Sequence, residues 1–309
     1  MPDPVVSPGS FSLNLPVTAG EAVGTMTATN SPTAWSIVAG NPGGFYAIDN
    51  SGNITITSAG ASGLAAGTSI LTVQATAAAS DPHFGNVVLL MGFEGSNGST
   101  GAPGMTDESP AAHGTATVAG GGATISTTQK QFGASSLSLN GASSINFPDS
   151  NDWNLAAGQF TVEGWFYTNT ITGNFHFIVG QWDSGALSLG WILSVNNATP
   201  SWNISTVGSN NLFQLDSAPT TVTTGTWHHV AVDYDGVKYR FYLDGVTTKT
   251  STTPETIFNS TDKLIIGSTD ANDANWFNGY IDELRITKGV ARYATDTGFT
   301  VPTAPFPRS

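Results

Sequence analysis

The 309-residue chain contains no cysteine, which excludes disulfides and thiolate metal sites and leaves stability to packed cores. Basic residues are scarce: nine Lys and Arg stand against 22 Asp and Glu, for a net charge of −13. None precedes Lys130, whereas seven carboxylates do, and the basic residues from Lys130 to Arg308 are scattered singly. Neutralising phosphates takes clustered Lys and Arg, so nucleic acid is excluded as a partner. Charged residues of both signs make up only 10% of the chain, under half of the roughly 25% usual in soluble domains. Long apolar runs are missing too. The longest, Val87 to Met91, falls far short of the ~20 residues of a membrane-spanning helix, and no membrane insertion is expected. The first residues, MPDPVV, lack a charged region followed by an apolar one. No secretory signal is therefore expected, which places the chain in the cytoplasm or has it released by another route.

What the chain has instead is aromatic and turn-forming. There are 16 Phe, 8 Trp, 7 Tyr and 36 Gly. That aromatic content can drive a core, and Gly with abundant Ser and Thr belongs to turn-rich β proteins whose outer faces carry hydroxyls. The length suggests two domains. In the first ~80 residues, Phe11/Leu13/Leu15, Trp35/Ile37, Ile54/Ile56 and Leu71/Val73/Ala75 alternate as strands do, and DNSGN at 49–53 supplies a hairpin connection. From residue 87 onward eleven further strand-like segments follow without any stretch of helical period. The fold class expected is all-β: a small Ig-like sandwich at 1–81, a linker at 82–85, a larger double-sheet jelly roll at 86–290, and an extended Pro-rich tail at 291–309.

Two resemblances sharpen this. The run GNPGGFYAIDNSGNITI at 40–56, with LTVQAT at 71–76, resembles a cadherin-like repeat. Ala77 to Ala79 stand where that family's acidic calcium junction would be, so the resemblance implies the fold without the metal. In the larger part, VVLLMGFEG (87–95), TDESP (106–110), FGASSLSLNG (132–141), FTVEGWFY (160–167), TWHHVAVDYDG (226–236), FYLDG (241–245) and FNGYIDELRI (277–286) occur in the order of the laminin-G-like, concanavalin A-like jelly-roll superfamily. The ending, TKGVARY (287–293) to PTAPFP (302–307), resembles the version of that domain found in bacteriophage virion proteins.

These resemblances imply candidate sites. Members of the superfamily often hold a structural calcium between first and last strands. Glu94, Asp107 and Asp282 fall on the matching segments, with Glu283 in reserve; calcium needs six to eight oxygens, so remote carboxylates must converge. The opposed reading is that these are turn acids bonded to backbone. A sugar needs an aromatic platform with polar groups beside it. Trp182 next to Asp183, and Trp276 closing the loop of Asp270, Asn272, Asp273 and Asn275, answer that description; equally, each ring could cap an end of the sandwich. Glu163, on one strand face with Trp165 and Tyr167, could grip a sugar or satisfy an arginine. His228 and His229 are adjacent in a strand, point to opposite faces, and are expected to be structural. Asp282 and Glu283 are expected to oppose each other for the same reason. No Glu-x-Asp-x-(x)-Glu string, nucleophile elbow, P-loop or His-Glu-x-x-His helix is present, so no enzyme is expected.

The function expected is therefore a multi-copy virion surface component that packs on other virion proteins and presents its jelly roll to a host surface glycan. A purely structural virion protein and a bacterial cell-surface adhesin are the alternatives.

Overall fold

The computed structural model describes residues 4–29, 34–76, 80–155, 158–171, 175–183, 187–209, 212–216, 222–252, 256–269 and 276–309. The chain divides into two compact units, Met1–Ser80 and Asp81–Arg308. Both are built of strands; the described residues hold one short α-helix, α1 (Ser58–Gly63), N-capped by the Thr57 hydroxyl, and two single-turn 3-10 helices, Phe84–Asn86 and Asn151–Trp153.

The first unit contains β1 (Ala22–Thr25), β2 (Ala34–Ala39), β3 (Tyr46–Ile48), β4 (Asn53–Ile56) and β5 (Thr72–Thr76). They form a three-stranded sheet in the order β1-β4-β3 and a two-stranded sheet of β2 and β5, all antiparallel. The β3–β4 hairpin follows from its turn residues. The Asp49 carboxylate accepts the Ser51 and Asn53 amides, and Gly52 takes the positive φ of 82°. Trp35, Ile54 and Ile56 are buried as their alternation requires. The alternating stretch Phe11–Leu15 is not a strand; its neighbourhood makes one isolated bridge, Val6 to Ala28, and Phe11 and Leu15 stay 40% and 45% exposed. Alternation supplies a face to bury, but it cannot supply the paired backbone that a strand also requires.

The second unit has β6 (Val87–Met91), β7 (Thr117–Gly120), β8 (Thr124–Ser126), β9 (Ser136–Asn140), β10 (Ser143–Phe147), β11 (Phe160–Thr168), β12 (Phe175–Asp183), β13 (Ser188–Asn196), β14 (Thr199–Gly208), β15 (Leu212–Asp216), β16 (Trp227–Tyr234), β17 (Tyr239–Leu243), β18 (Val246–Ser251), β19 (Leu264–Ile266) and β20 (Asn278–Lys288). A seven-stranded sheet runs β15-β14-β13-β12-β19-β10-β7. An eight-stranded sheet runs β18-β17-β16-β11-β20-β9-β8, with β6 also on β20. The inner faces meet in one core that includes Phe147, Trp153, Phe160, Phe166, Trp191, Trp202 and Phe241, none more than 2% exposed. Trp191 and Trp202 stack at 5.3 Å, and the Trp191 indole donates to the Trp153 carbonyl at 2.9 Å. Each such side chain contributes roughly 1.5–3 kcal/mol by leaving water. The Asp244-Gly245 turn has φ of 49° and 78°, the left-handed pair that a two-residue hairpin from β17 to β18 demands.

The residues expected as linker, 82–85, and as tail, up to 308, fall within the second unit, as does Asp81, expected to end the first domain. Asp81 is buried and accepts from Arg285 and Arg292. Residues 291–308 run without regular structure over the outer face of the eight-stranded sheet. Tyr293 stacks on Phe299 at 3.5 Å, Phe299 packs on Tyr242, the Arg285 guanidinium lies 3.8 Å over the Phe306 ring, and Arg308 pairs with Glu108 and Glu283.

Candidate functional site

Strand β20 positions one candidate. Its Asn278–Ile281 portion pairs with β9 and its Leu284–Thr287 portion with β6, so two short strands meet end to end beside it. At the junction β20 bulges: Glu283 adopts a φ of 48°, and Glu283 and Leu284 together face Gly164 of β11. The bulge breaks strand alternation. Ile281, Leu284 and Ile286 remain in the core, while Asp282 and Glu283 both leave it. The expectation that these two carboxylates oppose each other is corrected by this extra residue.

Asp282 Oδ2 accepts the amides of Gln131 and Phe132 at 2.9 and 3.1 Å, and Glu94, just beyond β6, accepts the Ala134 amide at 2.9 Å. The two carboxylates thus hold one loop. Burial, opposed by those amides and assisted by the charges of Glu283 and Glu94, pushes Asp282 up to about 7. Oxygen-only donors bearing adjacent negative charge fit a hard cation. Asp107 does not join them. Its Oδ1 accepts from the Leu90 and Ser109 amides, and its Oδ2 from the Ser109 hydroxyl and the His113 amide, all within 2.8–3.0 Å. A carboxylate so saturated by neighbouring donors is a loop organiser, and the calcium set narrows to Glu94 and Asp282. Among the described residues no three His, Asp or Glu converge as a metal cluster, so any further oxygens for a cation would be carbonyls or water. Glu283 is taken instead by Arg308 and by the Phe306 amide.

The outer face of the eight-stranded sheet is closed over Glu163. Glu163 is fully buried, with Arg285 Nε and Nη2 donating to its Oε1 at 3.0 and 2.7 Å and the Tyr293 hydroxyl donating to its Oε2. Although burial alone would raise it, the Arg285 charge and the His229 and Tyr293 contacts hold Glu163 well below the usual carboxylate range. Trp165 is buried edge-on against Phe132. Glu163 therefore satisfies an arginine and does not face a ligand. His228 and His229 diverge as expected: His228 Nδ1 lies 2.8 Å from Asp244 Oδ2, and His229 lies against Trp165.

The seven-stranded sheet differs. Leu193, Trp202 and Leu215 point into the core, so their neighbours Ser194, Ser201, Asn203, Gln214 and Asp216 lie on the other side of β13–β15, where Ser194, Ser201 and Asn203 are buried and Gln214 and Asp216 are exposed at the edge. Gln214 Nε2 donates to Asp216 Oδ1 at 2.8 Å, and Asn203 Nδ2 to Ser201 Oγ at 3.0 Å. Beside this polar row lies a separate apolar cluster of Phe177, Trp182, Leu189 and Ile192. Trp182 is 9% exposed within it and offers no free ring to a sugar, which corrects its expected role as a platform. Trp276 is half-buried, and its carbonyl lies 3.3 Å from His176 Nδ1 at the start of β12. Trp182 and Asp183 lie at the other end of that strand, about 20 Å away at ~3.3 Å per residue, so the structure does not bring the two tryptophans together. Asp270, Asn272, Asp273 and Asn275 lie outside the described residues. The polar row was legible in part: Leu212-Phe-Gln-Leu-Asp216 alternates, with Gln214 and Asp216 on one side.

Residues 139–293, half of the chain, match the family described as the concanavalin A-like lectin/glucanases superfamily. The chain belongs to this superfamily. No curated protein matches the sequence. Among solved structures, the binding domain of Paraclostridial Mosquitocidal Protein 1 superposes with a TM-score of 0.51 at 16% identity, over 67% of this chain and 50% of that one. Domain 4 of AbnA, a GH43 extracellular arabinanase from Geobacillus stearothermophilus, in complex with arabinotriose, gives 0.49 at 20% identity, over 66% and 93%. At such identities these likenesses concern the jelly-roll fold that the lectin/glucanase superfamily shares.

Proposed function

We propose that this chain is a non-enzymatic, glycan-binding component of a bacteriophage virion surface, such as a tail tip, fibre, collar or capsid appendage. One observation carries the glycan reading: in a member of the lectin/glucanase superfamily, the edge strand β15 presents Gln214 and Asp216 to solvent beside the exposed Leu212, with the buried polar row of Ser201 and Asn203 behind them. Hydroxyls and amides fix sugar hydroxyls, and apolar side chains accept the C–H face. Trp276, half-buried, lies beside the start of β12 in the same sheet. Glycoside hydrolysis would need two carboxylates across an open bond. Glu163, Asp233 and Glu283 instead lie beneath the C-terminal segment. The virion assignment rests on the resemblance of residues 287–307 to virion domains. The partners are other virion proteins and a host glycan, and a structural calcium at Glu94 and Asp282 would tie the β6, β9 and β20 ends together. The rival structural role draws support from the burial of Trp182. A test combines mass spectrometry of purified particles with binding of the full chain to host cells. Presence in particles and cell binding lost with Trp276→Ala support the proposal. Absence from particles, or cell binding that does not occur, removes the corresponding half.

A further inference from the structure

The outward side chains of β11 change their surroundings along the strand. Glu163 lies under Tyr293 of the C-terminal segment, Trp165 lies edge-on to Phe132, and Tyr167, two residues further on, is only half-buried. The cover ends in the same way on β16, where Phe299 packs on His229 and Trp227 is half-buried. Register then sets a row across four strands. Trp227 of β16 stands opposite Tyr167, Tyr167 opposite Tyr280 of β20, and Tyr280 opposite Ser138 of β9, all half-buried. The Tyr167 ring centroid lies 5.7 Å from those of Trp227 and Tyr280, with its plane tilted 60° and 76° to theirs. Two residues along the strands, Asn169 is exposed and Asn278 half-buried, and Asn169 Nδ2 donates to Asn278 Oδ1 at 3.0 Å. An aromatic row and an amide pair thus lie side by side at the uncovered end of this face.

Resting on the glycan reading above for the class of ligand but not for the place, we infer that this strip is a binding site for an extended oligosaccharide, separate from the β15 edge. Sugar rings offer C–H faces to aromatic side chains and hydroxyls to amides, so a chain of them matches an apolar row with a polar row beside it. The Tyr167 and Tyr280 hydroxyls have no hydrogen-bond partner among the described residues, nor have the Asn169 side-chain oxygen and the Asn278 side-chain nitrogen. Each can donate to or accept from a sugar hydroxyl. The tilts make the row corrugated, which suits puckered rings and not a flat stacked ligand. From Trp227 to Ser138 is three strand spacings, about 14 Å at ~4.8 Å each, and the two rows are ~7 Å apart along the strands. A strip on the order of 100 Å² falls far below the ~800 Å² that each partner of a stable protein complex buries, which favours a glycan over a protein surface.

The full chain is applied to a printed array of microbial and mammalian oligosaccharides, and the strongest hit is then titrated calorimetrically as soluble fragments of increasing length. Affinity should rise with each sugar unit until the aromatic row is filled, and level off beyond it. Tyr280→Ala should weaken binding of the longest fragment by about tenfold or more, the loss of one aromatic contact. Tyr167→Phe and Asn169→Ala, which remove a hydroxyl and an exposed amide and leave the rings in place, should each weaken it roughly fivefold at an unchanged melting temperature. Gln214→Ala on the β15 edge should leave this binding as it is. Binding lost with Gln214→Ala and indifferent to the other three substitutions would overturn this site and leave the glycan reading standing. A single sugar unit bound as tightly as the longest fragment would also overturn it, because a row of rings then plays no part. No signal on any oligosaccharide would overturn both.

Discussion

Glu163 keeps its negative charge in a place without water because Arg285, Tyr293 and His229 surround it. Removing one partner of such a pair leaves the other buried and uncompensated. Arg285→Ala should cost about 3–5 kcal/mol in urea unfolding, more than an exposed change such as Lys249→Ala, which should stay within roughly 0.5 kcal/mol. Asp233 works in the opposite sense. Burial, against the Ala294 amide and the Arg240 charge, raises it to about 6. The folded state then keeps a proton that the unfolded chain has released, so this group's contribution to stability falls as pH rises from about 4 to about 6 and is level above that. Asp233→Asn should flatten the pH profile of stability in that window; an unaltered slope would show that the carboxyl titrates normally. Trp182 and Trp276 also separate at this scale. Trp182→Ala should lower stability by about 3 kcal/mol or more through the cavity it leaves, whereas Trp276→Ala should reduce cell binding and change melting little.

At the scale of elements, the bulge in β20 is the feature with the widest consequences. By placing Asp282 and Glu283 on one side, it lets Asp282 reach the loop before β9 while Glu283 anchors the C-terminal segment. A calcium bound only by the native state stabilises through mass action, about 2.7 kcal/mol at 100 times its dissociation constant. For a unit of this size that is several degrees of melting temperature. Melting in excess calcium should therefore exceed melting in EDTA by several degrees, and Asp282→Asn should erase the difference. Asp107→Ala should lower both curves alike, since its bonds are to backbone. Identical curves for the unaltered chain would remove the metal from the proposal.

For the whole molecule, the two units invite separation, because each has its own sheets. Fragments 1–80 and 81–309 should each fold, as read by cooperative thermal unfolding. A fragment starting at residue 84 loses Asp81, leaving Arg285 with Glu163 alone and Arg292 without its bidentate carboxylate. It should melt several degrees below the 81–309 fragment. Equal melting of the two would place the boundary inside residues 82–85 after all. Truncation at residue 290 should be worse, since it strips Tyr293, Phe299 and Phe306 from a face whose charged residues are buried by them.

Much of this protein is determined by local pattern. The two units, the all-β class and most strands of the larger sandwich follow from alternation and turn residues, because a strand's in–out period and the left-handed demand at Asp244-Gly245 are written residue by residue. The superfamily's ordered segments are legible for the same reason. Tertiary structure alone decided the rest. Phe11–Leu15 alternates without becoming a strand because pairing depends on a distant backbone. Asp282 and Glu283 share a side because the β20 bulge arises where β6 and β9 abut, which adjacency in sequence does not reveal. Asp107 left the calcium set when the Leu90 amide, seventeen residues away, and its own loop filled its oxygens. The tail proved to be the cover of a sheet because burying Glu163 and Arg285 requires something on top of them. Periodicity says which way a side chain points; only the folded chain says what it meets there.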